Sequence, residues 1–324
     1  MKIHELVLFP SSICNLHCKH CSYLCNSLKK DNVPIKRLLE IIDEAISLGT
    51  ELFILVAKEP LMEIGRTKKI LEHLEKRKVK YGIVTNGTLI KQNIDKLKNF
   101  NFNYFDVSID GTEEYHDKTR GNGNFKLSEE GIGLILKNNI TKTLFISSVL
   151  MSYNYKNIPE MINHFKSKGI QNFSLGAYIY TGKNPKEWIL EKEQLKELIQ
   201  ILSNTKDVNQ IIIDIHKQVN HYWDYLIEEK IIDKDKIETD ENNVVYYQIP
   251  NTKVFLKNSL FTTKSDYTGI ITADGFYLED YNYLTDPNYK KSSVGNIKTK
   301  KLSEILAIVQ KQYYIPSSKT SFSF

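Results

Sequence analysis

Glu5-Leu6-Val7-Leu8-Phe9-Pro10-Ser11-Ser12-Ile13-Cys14-Asn15-Leu16-His17-Cys18-Lys19-His20-Cys21-Ser22-Tyr23-Leu24-Cys25 is an apolar run that feeds straight into a loop holding every cysteine of the chain. Its first five residues read as a buried strand. The four thiols, Cys14, Cys18, Cys21 and Cys25, fall within twelve positions. A disulfide framework spreads its cysteines to tie distant segments together, so this cluster points to metal or redox chemistry. Thiolates spaced C-x3-C-x2-C can wrap one soft metal centre. Zinc modules usually pair two short cysteine arms far apart, and no second arm exists here, although His17 and His20 lie in the loop and offer a Cys/His alternative. Three cysteines on a tight loop suit three corners of a cubane iron–sulfur cluster, with one iron left open to a ligand.

Outward from the loop, Ile35, Leu38, Leu39, Ile42, Ala45 and Ile46 recur at helical spacing, with Asn32 as candidate cap, Pro34 in the first turn and Gly49 as the stop. Glu51 to Val56 reads as a strand. The spacing then predicts helices near 67–76, 90–99, 127–137 and 159–168, alternating with strands near 81–85, 104–109, 143–150 and 173–179. Six strands alternating with helices predict parallel β/α construction, with the sheet covered on its outer face. Chemistry in such folds sits at the C-terminal ends of the strands. The most unusual local sequences stand there: the cysteine loop, Ala57-Lys58-Glu59-Pro60, Asn86-Gly87 and Ser108-Ile109-Asp110-Gly111.

Past Gly182 the pattern changes. A helical stretch (Leu190, Leu195, Leu198, Ile199, Leu202) leads to aromatics around Trp223, an acidic linker at 240–243, short β segments over 244–255 and 269–283, and a last helix near 302–310. The expected division is therefore 1–182 and 183–324. Of the 324 residues, 41% are hydrophobic and 26% charged, which excludes disorder, collagen-like repeats and coiled coil. No apolar run approaches the roughly 18 residues of a membrane span, and Met1-Lys2-Ile3-His4-Glu5 lacks the apolar core of a signal peptide. A cytoplasmic protein with no membrane partner is expected. Net charge is +5, but among the 44 Lys and Arg only Arg37, Arg66, Arg77 and Arg120 are arginine. Nucleic-acid readers rely on arginine forks, so nucleic acid is not the expected partner.

The cysteine loop resembles the cluster motif of the radical S-adenosylmethionine (radical SAM) superfamily, and further matches follow in the family's order. Glu59-Pro60-Leu61 resembles the end of its Gly-Gly-Glu-Pro motif, and Thr85-Asn86-Gly87 its Thr-Asn-Gly. Ser108-Ile109-Asp110-Gly111 with His116-Asp117 and Arg120 resembles the corresponding stretch of the peptide-modifying branch. The resemblance covers about residues 3 to 180. It implies an α/β fold, a partial (β/α)6 barrel with a small α+β extension. It also implies a [4Fe–4S] cluster on Cys14, Cys18 and Cys21, with SAM on the open iron and an external electron donor such as a flavodoxin or ferredoxin. By position, Glu59 would hold the SAM ammonium, Ser108 and Arg120 the ribose or carboxylate, Thr85 and Asn86 the rim, and the backbone at His20 the adenine edge.

Ala57-Lys58 departs from the resemblance, standing where the family carries two glycines. The segment Ile271 to Tyr277 with Val294-Gly295-Asn296-Ile297 resembles the tail of SPASM-type extensions. It lacks their auxiliary-cluster cysteines, and Glu279 stands near where one is expected. Three readings follow: radical chemistry on a ribosomally made peptide, the same chemistry on a small metabolite such as a sugar or nucleoside, or a non-catalytic metal-binding protein. Cys25 is the thiol left over. It is a candidate hydrogen-atom donor to a substrate radical, weighed against simple packing of the loop.

Overall fold

The computed structural model describes residues 3–22, 31–216, 219–239, 244–258, 268–279 and 289–314. Six strands, β1 (Glu5–Leu8), β2 (Leu52–Leu55), β3 (Lys80–Thr85), β4 (Tyr104–Ser108), β5 (Leu144–Leu150) and β6 (Asn172–Ala177), pair in chain order, each parallel to the next. Helices cross between them: α1 (Ile35–Ser47), α2 (Ile64–Arg77), α3 (Ile90–Leu97), α4 (Glu113–Arg120), α5 (Asn124–Asn138) and α6 (Ile158–Ser167). The later elements are α7 (Lys192–Leu202), β7 (Gln210–Ile215), α8 (His221–Glu228), β8 (Glu238–Thr239), β9 (Val245–Gln248), β10 (Val254–Asn258), β11 (Thr268–Ile271), β12 (Phe276–Leu278), α9 (Tyr289–Ser292), β13 (Gly295–Asn296) and α10 (Leu302–Tyr314).

Among the described residues, the strands join one 13-stranded sheet in the order β13-β12-β11-β1-β2-β3-β4-β5-β6-β7-β10-β9-β8. β7 and β10 continue the parallel run beyond β6, and β11 lies parallel to β1 on the other side, with Glu5 opposite Thr268. Antiparallel strands finish both edges. The expected boundary near Gly182 falls between β6 and α7, and the sheet runs on across it.

The two faces of the sheet differ. Toward the helices, Leu6, Leu8, Phe53, Leu55, Phe105 and Val107 are fully buried in the main core, each contributing about 2 kcal/mol by leaving water. On the inner face, Val7, Phe9, Ile54 and Ile270 form a second apolar cluster, so β1, β2 and β11 are covered on both sides and read as continuous apolar runs. From β4 onward burial alternates, and the half-buried inner positions mix polar residues, Asp106, Ser108, Ser147, Ser174, Asp214 and Lys257, with apolar ones, Phe145, Val149, Ile212 and Phe255. Glu5 on β1 is raised above the usual carboxylate range by burial, partly offset by the charge of Lys257 on β10. Two strands so distant in the sheet feel each other because the sheet curls into an open arc.

Asn32 does not cap α1. Pro34 is the N-cap, with extended ψ of 136° and no side-chain cap bond. The Asn32 side chain instead accepts from the Ser12 N–H at 3.0 Å and donates to Glu63 at 2.5 Å, tying the cysteine loop to the helix. α2 starts earlier than its periodicity predicts, because a 3-10 turn at Pro60–Glu63 leads into it. The elements α4, β7, α8, β8, α9 and β13 lie outside the sequence expectation, and the acidic linker at 240–243 lies outside the described residues. Among the described residues, no helix is long and apolar enough to cross a membrane.

Candidate active site

The C-terminal ends of β1 to β5 converge on a cavity of about 280 Å³. Cys14, Cys18 and Cys21 line it, together with Lys58, Thr85, Asn86, Ser108 and Arg120. A larger hollow of about 490 Å³ opens near the N-terminal ends of β5 to β7, among Asn139, Gln171, Asn172 and Gln210, and its lining carries neither thiol nor carboxylate. The three thiols lie in the smaller one.

The cysteine loop is held from several sides. The Glu59 N–H donates to the Ile13 carbonyl at 3.1 Å and Arg66 Nε to the Pro10 carbonyl at 2.7 Å. The Lys19 N–H reaches the Thr119 carbonyl at 2.9 Å, and Ser11 Oγ donates to Glu63 at 2.9 Å. Cys14 is buried, while Cys18 and Cys21 are half-buried. Burial pushes the Cys18 thiol up to about 12, against the pull of Arg120. Coordination to a metal centre would deprotonate such a thiol. Among the described residues, no three His, Cys, Asp or Glu side chains close around a single ion. Three thiols of one loop lining one cavity are the donor set that three corners of a cubane cluster take. Of the two histidines of the zinc alternative, His17 is exposed and is not among the residues lining the cavity, whereas His20 lines it.

Glu59 is fully buried and is not among the residues lining the cavity. Its Oε1 accepts from the Leu61 N–H at 2.9 Å and Thr85 Oγ1 at 2.7 Å, and its Oε2 from the Asn86 N–H at 2.9 Å. Burial raises its carboxyl above the usual range, and these donors oppose the rise. The carboxylate thus ties the ends of β2 and β3 together, and one of its roughly four lone-pair sites is left for a ligand. Asn86 continues the chain. Its Nδ2 donates to Asn15 Oδ1 at 2.9 Å and lies 3.9 Å from Cys14 Sγ, while its Oδ1 accepts from the Thr88 N–H at 2.9 Å.

Arg120 is locked to Asp110 by two bonds, Nε to Oδ2 at 2.6 Å and Nη2 to Oδ1 at 3.2 Å, with Asp110 fully buried. Burial opposes the charge of each partner, and each more than restores the other's: Asp110 falls well below the usual carboxylate range and Arg120 rises. The Val149 N–H also donates to Asp110 at 3.0 Å. His20 lies beside this pair, 3.7 Å from Asp110, and burial lowers its ring to about 4. Its backbone carbonyl accepts from Asn184 Nδ2 at 3.4 Å. Ala57 and Lys58 both sit at positive φ, 65° and 51°, the conformation glycine adopts most readily. The fold therefore keeps a glycine-type turn with two L-residues, and Lys58 lines the cavity.

The structure brings together Cys14, Cys18, Cys21, His20, Thr85, Asn86, Ser108 and Arg120, with Glu59 directly behind them. Cys25 lies outside the described residues. One contributor escaped the sequence reading. The lock on Arg120 needed Asp110 to be buried beside it, which a common Asp-Gly turn pair does not signal.

Residues 8–166 match the model of the Radical SAM superfamily. Fe-coproporphyrin III synthase of Methanosarcina barkeri is 26% identical over 211 residues, covering 61% of this chain and 50% of that protein. The serine-type anaerobic sulfatase-maturating enzyme of Bacteroides thetaiotaomicron is 33% identical over 181 residues, covering 51% of this chain and 43% of that protein. The chain spans about half the length of these curated relatives. Among solved structures, Streptococcus suis SuiB bound to precursor peptide SuiA superposes with a TM-score of 0.71 at 19% identity, covering 94% of this chain and 64% of that one. That likeness is one of fold.

Proposed function

The chain carries a radical SAM domain, whose family uses a [4Fe–4S] cluster and SAM, and from that premise we propose an enzyme that modifies a ribosomally made peptide. When bound, the cluster and SAM supply a 5′-deoxyadenosyl radical able to abstract hydrogen from substrate. The observation that carries the proposal is the meeting of three thiols with the Thr85-Asn86 rim, Ser108 and Arg120 around one cavity at the strand ends.

In this reading Cys14, Cys18 and Cys21 hold the cluster, and Asn86 fixes the first of them through its contact with Sγ. Glu59 holds the rim and offers its remaining lone pair to the SAM ammonium. Arg120, anchored through Nε and Nη2, presents Nη1 to the carboxylate or ribose beside Ser108. The backbone at His20 meets the adenine edge. The protein supplies orientation and exclusion of water and stray hydrogen donors. Residues 1–182 form the catalytic unit, and 183–324 shape the substrate side. A flavodoxin or ferredoxin delivers the electron, in a cytoplasm that keeps the thiols reduced.

The peptide is supported by the sulfatase-maturating relative and by the fold shared with a peptide-bound structure. The small-metabolite reading has the porphyrin synthase on its side. The experiment is anaerobic incubation with SAM and reductant, reading 5′-deoxyadenosine against candidate peptides and metabolites. Peptide-stimulated formation is expected. Stimulation by metabolites and by no peptide would favour the second reading.

A further inference from the structure

The inner sheet face that runs from β4 to β10 mixes polar side chains with apolar ones such as Phe145, Ile212 and Phe255, and one of its polar groups is incomplete. Phe105 and Val107 face the helices, so Asp106 between them faces inward, two residues before the cavity-lining Ser108. Ser147 on β5 donates to Asp106 Oδ2 at 2.6 Å. Asp106 Oδ1 is out of contact with solvent and has no hydrogen-bond partner. An unpaired acceptor in that position costs free energy unless a ligand meets it.

Farther along the same face, Asp214 on β7 and Lys257 on β10 stand 3.8 Å apart, and Glu5 also feels the charge of Lys257, so that lysine already serves two other carboxyl groups. Arg120 is committed to Asp110 and only partly offsets Asp106. Burial raises the Asp106 carboxyl to about 7, so a cationic donor there would restore the ionised form.

We propose that Asp106 is a specificity residue that anchors the substrate by accepting a hydrogen bond from its ammonium or guanidinium group. Resting on the peptide reading, this makes the substrate a segment with a lysine or arginine side chain laid along this face. Ser147 holds the carboxyl so that Oδ1 faces the incoming group.

The test uses the full-length, cluster-loaded protein and two probes with the same four-carbon side chain, one ending in an ammonium and one without it, Nα-acetyl-lysine methylamide and Nα-acetyl-norleucine methylamide, with binding read by calorimetry or saturation-transfer NMR. A charge-assisted bond predicts that the lysine probe binds at least about tenfold more tightly, and that Asp106→Asn brings the ratio close to one. Equal binding of both probes, or a ratio that survives Asp106→Asn, overturns the inference. If Asp106→Asn does not fold, Ser147→Ala removes only the orienting hydroxyl. The ratio should then fall, and an unchanged ratio also contradicts the proposal. Because binding is read without SAM cleavage, a missing preference sinks this inference alone. Turnover of metabolites but no peptide sinks the peptide reading alone.

Discussion

Ala57 and Lys58 hold the turn at the end of β2 at φ of 65° and 51°, where an L-residue is strained by about 1–2 kcal/mol. Glycine there would lose somewhat more backbone entropy, about 0.5–1 kcal/mol, and would remove the strain. Lys58→Gly should therefore stabilise the folded chain by roughly 0.5–1 kcal/mol in chemical denaturation. A clear loss of stability would mean that the Lys58 side chain makes contacts worth more than its strain. The same residue scale explains why Glu59 was legible in part. The match to Glu59-Pro60 marks the position, but three donors from Leu61, Thr85 and Asn86 converge on its carboxylate only once β2 and β3 lie side by side.

At the scale of elements, the corner after β3 binds three pieces together. Gly87 sits at φ of 86°, and a Cβ there would stand 2.7 Å from Val107 Cγ1 and 3.0 Å from Ser128 Cβ. Ser128 on α5 donates to the Asn86 carbonyl at 2.7 Å. The turn therefore fixes β4 and α5 as well as the cavity rim. Gly87→Ala should cost about 2–4 kcal/mol, strain and overpacking combined. A denaturation midpoint equal to the parent's would show that the corner gives way easily. β1 to β6 were readable because each is a short apolar or alternating run followed by a turn signal. α4 was not, because Glu113–Arg120 is polar throughout and buries only His116 and Thr119. Nor was the attachment of β10 to β7 or of β11 to β1, since pairing across long sequence separation leaves no local periodicity.

On the scale of the whole molecule, one curled sheet joins two unlike halves. Its β1 to β3 side is packed on both faces, and its β4 to β10 side is packed on one face and carries polar groups among apolar ones on the other. The cavity with the three thiols lies where strand ends from both halves meet. A rigid apolar half suits the holding of a cluster, and a half with polar groups suits the reception of a substrate. The arrangement depends first on Cys14, Cys18 and Cys21 carrying a cluster with one open iron. The measurement that tests this most directly is anaerobic reconstitution followed by iron and sulfide analysis, with electron paramagnetic resonance of the reduced protein before and after SAM. About four irons per chain, as one [4Fe–4S] cluster requires, a signal that changes on adding SAM, and loss of both in Cys18→Ala are predicted. Stoichiometric zinc without iron, or a cluster that survives Cys18→Ala unchanged, would contradict it.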